Sequence, residues 1–141
     1  VKDGEMQNAG SIQLTFFDIF SYKTKQFGFK AVFPSGKVLA CLGDEPFNEK
    51  CRNFVQNCDY LMCEAFCLYS QKDIFKPYEK FHSTALDAGK LAESLFAKNL
   101  ILYHTEDETL QTRKSTYASE ARTVFNGNIF VPDDFEVIDL K

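Results

Sequence analysis

Apolar residues recur along the first third of the chain in short runs with the two-residue period of β-strands. Residues 11–20 and 26–33 alternate apolar and polar side chains well enough to predict two strands. The turn sequence Pro34-Ser35-Gly36 separates the second run from the apolar stretch 37–42. Such a turn predicts that these two strands form an antiparallel hairpin.

In the rest of the chain, strand and helix patterns alternate. Strands are predicted at 60–63, 99–103, 128–131 and 136–140, and helices at about 48–56, 85–95 and 107–125. Thr84 and Asp87 form a capping-box pattern, and the helix that follows has a narrow, alanine-rich apolar stripe that should lie close to a sheet. Residues 66–80 are irregular and rich in aromatic side chains, which predicts a long ordered loop. A hairpin followed by alternating strands and helices predicts a layered α/β fold with a mixed sheet.

Length and composition fit one domain. The chain has 141 residues, of which 45% are apolar and 15% aromatic, enough for a substantial core. Residues 1–10 are polar and predict a frayed end or a cut linker, so the folded unit is expected to span 11–141. No apolar run approaches the roughly 20 residues of a membrane-spanning helix, and no signal peptide is recognisable, so we expect a cytoplasmic protein with no membrane partner.

Charge and cysteine content narrow the function classes. A net charge of −4 without a basic block argues against a broad nucleic-acid-binding face, although it leaves room for a compact basic patch. The five cysteines are an odd number, and several interrupt apolar runs as small core residues do, which favours a reducing compartment. Cys63 and Cys67 are four residues apart, a spacing that does not match the Cys-x-x-Cys pairs of structural zinc sites.

Candidate chemistry lies where the predicted strands end. Asp44, Glu64 and His104 each follow a predicted strand, and His82 directly precedes the predicted helix. In layered α/β sheets, side chains converge outside the carboxyl ends of the strands, and short connections make those strands neighbours. Carboxylate and imidazole groups are ligands for zinc, iron or manganese. One aspartate and one histidine do not complete a metal site.

Each candidate also has a purely structural interpretation. A histidine at a strand end is commonly a polar cap, and Gly43-Asp44 fits a turn whose carboxylate accepts backbone hydrogen bonds. Similarly, His82 fits a loop that leads into a helix cap, and Glu64 fits an ion pair with a lysine. The residues alone therefore leave the function open.

Four short motifs together resemble a known family. They are Gly43-Asp44, Glu64-Ala65-Phe66, His82-Ser83-Thr84-Ala85 with Ala88 and Ala92, and Leu100-Ile101-Leu102-Tyr103-His104-Thr105. In order and separation they resemble the C-terminal half of the metallo-β-lactamase-fold hydrolases, most of all the ribonuclease Z branch. The resemblance implies one half of a four-layer αββα sandwich.

The resemblance also implies roles for the candidate residues. Asp44 corresponds to the carboxylate that bridges two metal ions, usually zinc, with iron or manganese as alternatives, and His104 to a late histidine ligand. His82 corresponds to a histidine that positions or protonates phosphate, and Glu64 to its partner. The activity implied is phosphodiester cleavage, on RNA or another phosphodiester.

The sequence departs from this family in two places. The signature His-x-His-x-Asp-His, which supplies most ligands and the water-activating aspartate, is absent. In addition, Phe20 stands at or near the place of a further histidine ligand. Because the chain begins at Val1 and lacks the first half of the site, we expect a fragment that is inactive alone and associates with its missing N-terminal half or with a second copy.

Two alternatives remain at this point. The chain could be a degenerate metallo-β-lactamase-fold protein that serves as a non-catalytic binding or assembly module, which Phe20 favours. It could also be an unrelated α/β domain with structural histidines, which convergence of Asp44, His82 and His104 would contradict.

Overall fold

A computed structural model describes residues 1–140 and shows one seven-stranded mixed sheet. The strands are β1 (Met6–Ala9), β2 (Ile12–Asp18), β3 (Phe27–Val32), β4 (Val38–Cys41), β5 (Tyr60–Glu64), β6 (Asn99–Tyr103) and β7 (Asn128–Phe130). They lie side by side in chain order, so every strand pairs with its neighbours in sequence.

The first four strands form an antiparallel meander. The predicted hairpin is confirmed: β3 pairs antiparallel with β4, with Phe29 opposite Cys41. One expectation is wrong here, because Met6–Ala9 is a strand paired with β2 and not part of a frayed end or linker. All four of its side chains are exposed, so this edge strand has no alternating apolar pattern by which sequence could reveal it.

The last four strands are parallel and are connected by helices. The helices are α1 (Arg52–Val55), α2 (Lys72–Phe75), α3 (Ala85–Ser94) and α4 (Arg113–Arg122), with 3₁₀ turns at Glu49–Cys51, Tyr69–Gln71 and Tyr78–Lys80. The capping box of α3 is confirmed: the Asp87 backbone N–H donates to Thr84 Oγ1 at 3.2 Å, and the Thr84 N–H donates to Asp87 Oδ2 at 3.1 Å. These two hydrogen bonds fix the N-cap of α3, Thr84, two residues after His82.

Two predictions near the C-terminus are wrong. Helix α4 begins at Arg113, not near residue 107, because the Glu106 carboxylate accepts the backbone N–H groups of Glu108 and Thr109 and holds a turn there. Residues 136–140 pair with no strand; their alternation reflects packing, since Ile138 and Leu140 rest on the sheet while their neighbours are exposed.

The two faces of the sheet are covered unequally. On one face, α3 and α4 enclose the main core, where Ala85, Ala88 and Ala92 are at most 2% exposed and let α3 lie close to the strands. The other face has a small core of Ala31, Leu39, Tyr60 and Ile101, surrounded by half-buried apolar side chains. These include Ile12, Leu14, Phe29, Met62 and Phe130.

Between residues 1 and 140, the longest helices have ten residues, and none is long and apolar enough to cross a membrane.

Candidate active site

The carboxyl ends of β4, β5 and β6 bring three of the candidate residues to one edge of the sheet. Asp44 follows β4, Glu64 is the last residue of β5, and His104 follows β6. These strands are parallel and adjacent, with Met62 opposite both Cys41 and Ile101. The sequence therefore placed these positions at the correct edge, although their chemical roles are a separate question.

Tyr103 ties the end of β6 to the turn after β4. Its hydroxyl donates a hydrogen bond to the carbonyl oxygen of Gly43, and Cys41 Sγ lies 3.6 Å from the same hydroxyl. Burial raises the pKa of Tyr103, which keeps the hydroxyl protonated and able to donate. Gly43 has a φ of +81°, and a Cβ there would lie 3.1 Å from Ile19, so the turn that presents Asp44 favours glycine.

Ser83 anchors Glu64 beneath the site. The Ser83 backbone N–H and hydroxyl each donate to Glu64 Oε1 at 2.6 Å. The other carboxylate oxygen, Oε2, lies 3.5 Å from His82 Nδ1, and both of these atoms are buried without a hydrogen-bond partner. Glu64 and His82 thus face each other, as the resemblance to the ribonuclease Z branch implied, without forming a hydrogen bond.

Burial sets the proton distribution of this pair. Desolvation raises the pKa of Glu64 to about 7, against the lowering effect of its hydrogen bonds from Ser83. Desolvation also lowers the pKa of His82, and the charge of Lys23 adds to that effect. Near neutral pH, both groups are therefore biased toward their uncharged forms, and the proton on Glu64 favours neutral imidazole at His82.

Aromatic stacking fixes the orientation of the His82 ring. The ring of Phe66 lies on one side with centroids 5.0 Å apart and an angle of 21°, and the ring of His104 lies 5.0 Å away at 41°. His82 itself is 8% exposed, whereas His104 is exposed. The backbone N–H of His82 donates to the carbonyl oxygen of Pro77 at 2.9 Å, which fixes the main chain as well.

Asp44 completes the cluster electrostatically. Its negative charge acts to raise the pKa values of both His82 and Glu64. Asp44 Oδ1 is buried and has no hydrogen-bond partner. The structure therefore brings Glu64, His82 and His104 together and places Asp44 at the same edge of the sheet, so the two histidines are not scattered.

The donor set fits part of a metal shell. An unpartnered buried carboxylate oxygen at Asp44 and an exposed imidazole at His104, at the same edge of the sheet, are donor types that zinc prefers. Within residues 1–140, however, no group of three or more His, Cys, Asp or Glu side chains is arranged to hold a metal ion.

The segment before β3 runs along the Asp44 turn. The Ile19 side chain lies 3.1 Å from where a Cβ on Gly43 would be, and the Ser21 hydroxyl donates to Glu45 Oε1 at 2.6 Å, so the residues on both sides of Phe20 meet this turn. Lys50 Nζ lies 4.6 Å from the centre of the Phe20 ring. Phe20 thus belongs to a segment held against the turn that carries Asp44, and neither a phenyl ring nor an ammonium group is a metal ligand.

Sequence reasoning missed the residues that position this cluster. Tyr103 reads as an ordinary strand residue, and Glu45 as one of many charged loop residues. Ser83 lies inside the motif His82-Ser83-Thr84-Ala85. Its position between His82 and the helix cap Thr84 was the one sequence feature that could have indicated its role. The tie between Tyr103 and Gly43 joins positions 60 residues apart and has no local signature.

Comparison with known proteins identifies the fold. No family model matches the chain. Ribonuclease Z of Bacillus cereus (strain AH187) is 32% identical over 98 residues, which are 70% of this chain and 31% of that protein. The metallo-β-lactamase fold protein YhfI from Bacillus subtilis superposes with a TM-score of 0.75 at 20% identity, covering 91% of this chain and 50% of that one. This chain has the metallo-β-lactamase fold and is similar to ribonuclease Z.

A zinc-containing protein shares the architecture. Zn²⁺-bound PqqB from Methylobacterium extorquens superposes with a TM-score of 0.71 at 13% identity, covering 99% of this chain and 51% of that one. The chain thus corresponds to about half of a metallo-β-lactamase-fold protein and spans about a third of the ribonuclease Z it matches. Its mixed sheet with helices on one face is the layer arrangement expected for one half of the four-layer sandwich.

Proposed function

We propose that this chain is the C-terminal part of a metal-dependent phosphodiesterase similar to ribonuclease Z, inactive until the rest of the site is joined to it. The observation that carries the proposal is the convergence of Asp44, His104 and the Glu64–His82 pair at one edge of the sheet. A carboxylate, an exposed imidazole and a second imidazole backed by a carboxylic acid form a functional combination for phosphodiester hydrolysis.

Each residue has a distinct task in this proposal. Asp44 and His104 would hold metal, with zinc as the first expectation and iron or manganese as alternatives. The metal, when bound, supplies a hydroxide at neutral pH and neutralises charge on the phosphodiester. His82 protonates the leaving oxygen, and Glu64 holds the His82 ring and returns a proton to it through Nδ1. Phe66 keeps the ring from rotating away.

The substrate follows from the relatives, since the aligned protein is a ribonuclease Z. We propose RNA, with other phosphodiesters as the broader class. The proposed location is the cytoplasm, in keeping with the five free cysteines. Burial raises the pKa values of Cys58 and Cys67 to about 12, so these thiols serve as packing residues.

The completing partner covers the open face of the sheet in this proposal. Half-buried apolar side chains such as Leu14, Phe29 and Met62 surround the small second core, and soluble proteins rarely leave such a face uncovered. A segment carrying His-x-His-x-Asp-His would cover this face and supply the missing ligands. A second copy of the chain is the alternative partner when that segment is absent.

Zinc analysis combined with hydrolysis tests the proposal. The 141-residue chain, alone and joined to a segment that carries the missing signature, is dialysed against zinc, and its zinc content and hydrolysis of bis(p-nitrophenyl) phosphate are measured. We expect two zinc ions and turnover only in the joined protein. Tight stoichiometric zinc and turnover in the isolated chain would contradict the idea that its site is incomplete.

A second candidate is a non-catalytic binding or assembly module. It is favoured by Phe20, on the segment held against the Asp44 turn, and by Lys50, whose Nζ lies 4.6 Å from the centre of the Phe20 ring. A nearby ammonium lowers the affinity of a site for cations. If the joined protein holds no zinc, and if Phe20→His restores it, the degenerate module is the correct description.

A further inference from the structure

Two exposed aromatic rings stack on each other at the rim of the site. Tyr22 is 78% exposed and Phe81 is 46% exposed, and their ring centroids lie 5.5 Å apart at an angle of 25°. Phe81 immediately precedes His82, and the Tyr22 backbone N–H donates to Glu45, the residue after Asp44. The outer faces of this pair are therefore open to solvent beside the cluster.

The pair is held in place from both sides. The Tyr22 N–H and the Ser21 hydroxyl donate to the two oxygens of Glu45, at 3.1 and 2.6 Å, and Glu45 is only 4% exposed. Phe81 has a left-handed backbone with a φ of +59°, and its N–H donates to the carbonyl oxygen of Tyr78 at 3.3 Å. The backbones are held by these hydrogen bonds and the rings by their mutual stacking, so less conformational freedom is lost when a ligand stacks on them.

One lysine follows Tyr22 and another precedes Phe81, although the chain as a whole is acidic. Lys23 directly follows Tyr22, is exposed, and donates its backbone N–H to the Ser21 hydroxyl at 3.1 Å. Lys80, next to Phe81, places Nζ 5.0 Å from the centre of the Phe66 ring, which in turn stacks on His82. Exposed aromatic faces interleaved with ammonium groups bind single-stranded nucleic acid, because the bases stack and the phosphates pair with the cations.

We propose that Tyr22 and Phe81 form a stacking platform for a nucleobase next to the phosphodiester bound at the site, with Lys23 and Lys80 contacting the flanking phosphates. The location of the platform rests on the proposed function, but binding of the base requires no hydrolysis. The occupant is an unpaired nucleotide, since a base within a duplex does not present its face to a side chain.

Equilibrium binding of matched oligonucleotides tests the platform. Fluorescein-labelled single-stranded RNA hexamers, one with six bases and one abasic throughout, are titrated by anisotropy with the chain at constant low salt. We expect the base-containing hexamer to bind about tenfold more tightly, and Tyr22→Ala and Phe81→Ala each to remove most of that difference. Tyr22→Phe, which keeps the ring, should retain it.

Phe96→Ala is the matched control, because Phe96 is an exposed phenyl, 71% accessible and also in a left-handed conformation, at the opposite end of α3 from His82. It should leave the ratio of the two affinities unchanged, and thermal melting shows which variants are folded. Equal affinity of both hexamers for the folded wild-type chain would overturn the platform. Equal weakening of both hexamers by Tyr22→Ala would overturn it as well.

The readout separates this inference from the proposed function. A base-dependent affinity that is lost in Tyr22→Ala supports the platform even if the joined protein never hydrolyses a phosphodiester. Conversely, if the joined protein shows zinc-dependent hydrolysis but the two hexamers bind with equal affinity, the platform is refuted and the proposed function is supported.

Discussion

At the scale of single residues, Glu64 has the least favourable environment for a charge in the site. It is 1% exposed, accepts hydrogen bonds from Ser83 through Oε1 only, and faces His82 with Oε2 at 3.5 Å. Its pKa is about 7, so at neutral pH it is partly protonated and can act as a proton reservoir for His82. The same burial links the pair to the stability of the fold.

We expect Glu64→Gln to stabilise the chain in a pH-dependent way. The folded state keeps the Glu64 proton up to about pH 7, whereas the unfolded chain releases it near its ordinary pKa of 4.5, so stability falls as pH rises through that interval. Glutamine has no charge to bury and still accepts from Ser83. Relative to wild type, the variant should gain a free energy of unfolding that grows from pH 5 to pH 8, reaching on the order of 3 kcal/mol.

Urea unfolding at several pH values between 5 and 8 measures this gain. Glu79→Gln removes an exposed carboxylate and is the control, whose difference from wild type should not grow over that range. A Glu64→Gln variant that is less stable than wild type by the same amount at every pH would contradict this prediction. It would show that burying the Glu64 charge does not destabilise the fold.

Asp44 and His82 should respond differently to substitution in the joined protein. Asp44→Asn removes the charge that holds cations and should lower zinc content. His82→Ala should leave zinc in place and reduce kcat by roughly 10²- to 10⁴-fold, the usual contribution of a general acid. Elemental analysis and steady-state kinetics on the same preparations separate the two effects, and equal zinc loss in both variants would refute the role assigned to His82.

At the scale of elements, helix α3 positions the site through its first turn. Thr84 is fully buried, caps α3 through Asp87, and follows directly on Ser83 and His82. The main chain on either side is paired with the segment after β5, since Phe66 N–H donates to Ser83 O at 2.9 Å and Ala85 N–H to Cys67 O at 3.0 Å. The start of α3 and the segment after β5 are therefore held together by hydrogen bonds.

Thr84→Ala should destabilise the start of α3 and the segment that it holds. Loss of an N-cap side chain costs about 0.5–2 kcal/mol of unfolding free energy. Thr123→Ala is a suitable control, because Thr123 lies at the exposed end of α4, where its hydroxyl donates only to the Glu120 carbonyl. Chemical denaturation of both variants should show the larger loss for Thr84→Ala; an equal or smaller loss would mean that the capping box does not stabilise the site segment.

Elements whose local pattern and tertiary environment agree could be predicted from sequence. The β3–β4 hairpin has a turn signature between two apolar runs, and α3 has both a cap and a buried alanine stripe, so each was predicted close to its observed bounds. Strand β1 was not predicted because its side chains are all exposed and show no apolar alternation. The prediction of a strand at 136–140 was wrong because alternating apolar residues indicate which side chains face the sheet, and do not show whether the backbone pairs with a strand.

The candidate site shows the same division. Asp44, Glu64 and His104 could be placed at one edge because parallel strands in chain order share their carboxyl ends. The contacts that orient them could not be predicted, because the bond between Tyr103 and Gly43 and the stacking of Phe66 on His82 join distant positions. Such contacts depend on the final packing, and no periodic pattern in the sequence indicates them.

At the scale of the whole molecule, the unequal faces of the sheet determine how the chain associates. The helical face is closed by α3 and α4, whereas the opposite face has only a small core on which Ile138 and Leu140 rest. Uncovered apolar area of this kind drives association, because each buried Å² contributes roughly 25 cal/mol. The isolated chain should therefore self-associate, and the complementary segment should replace the second copy.

Leu14→Lys tests this directly, because Leu14 is a half-buried residue on β2 that packs at the margin of the open-face core. A charge there should shift sedimentation velocity profiles toward monomer and weaken binding of the complementary segment, with little change in the melting of the helical core. The matched control is Ile74→Lys on α2, where the side chain is already 74% exposed and makes no part of that face. If wild type sediments as a monomer at every concentration and Leu14→Lys binds the complementary segment as tightly as Ile74→Lys does, the open face is not the association surface. The missing ligands would then have to reach Asp44 from the helical side of the sheet.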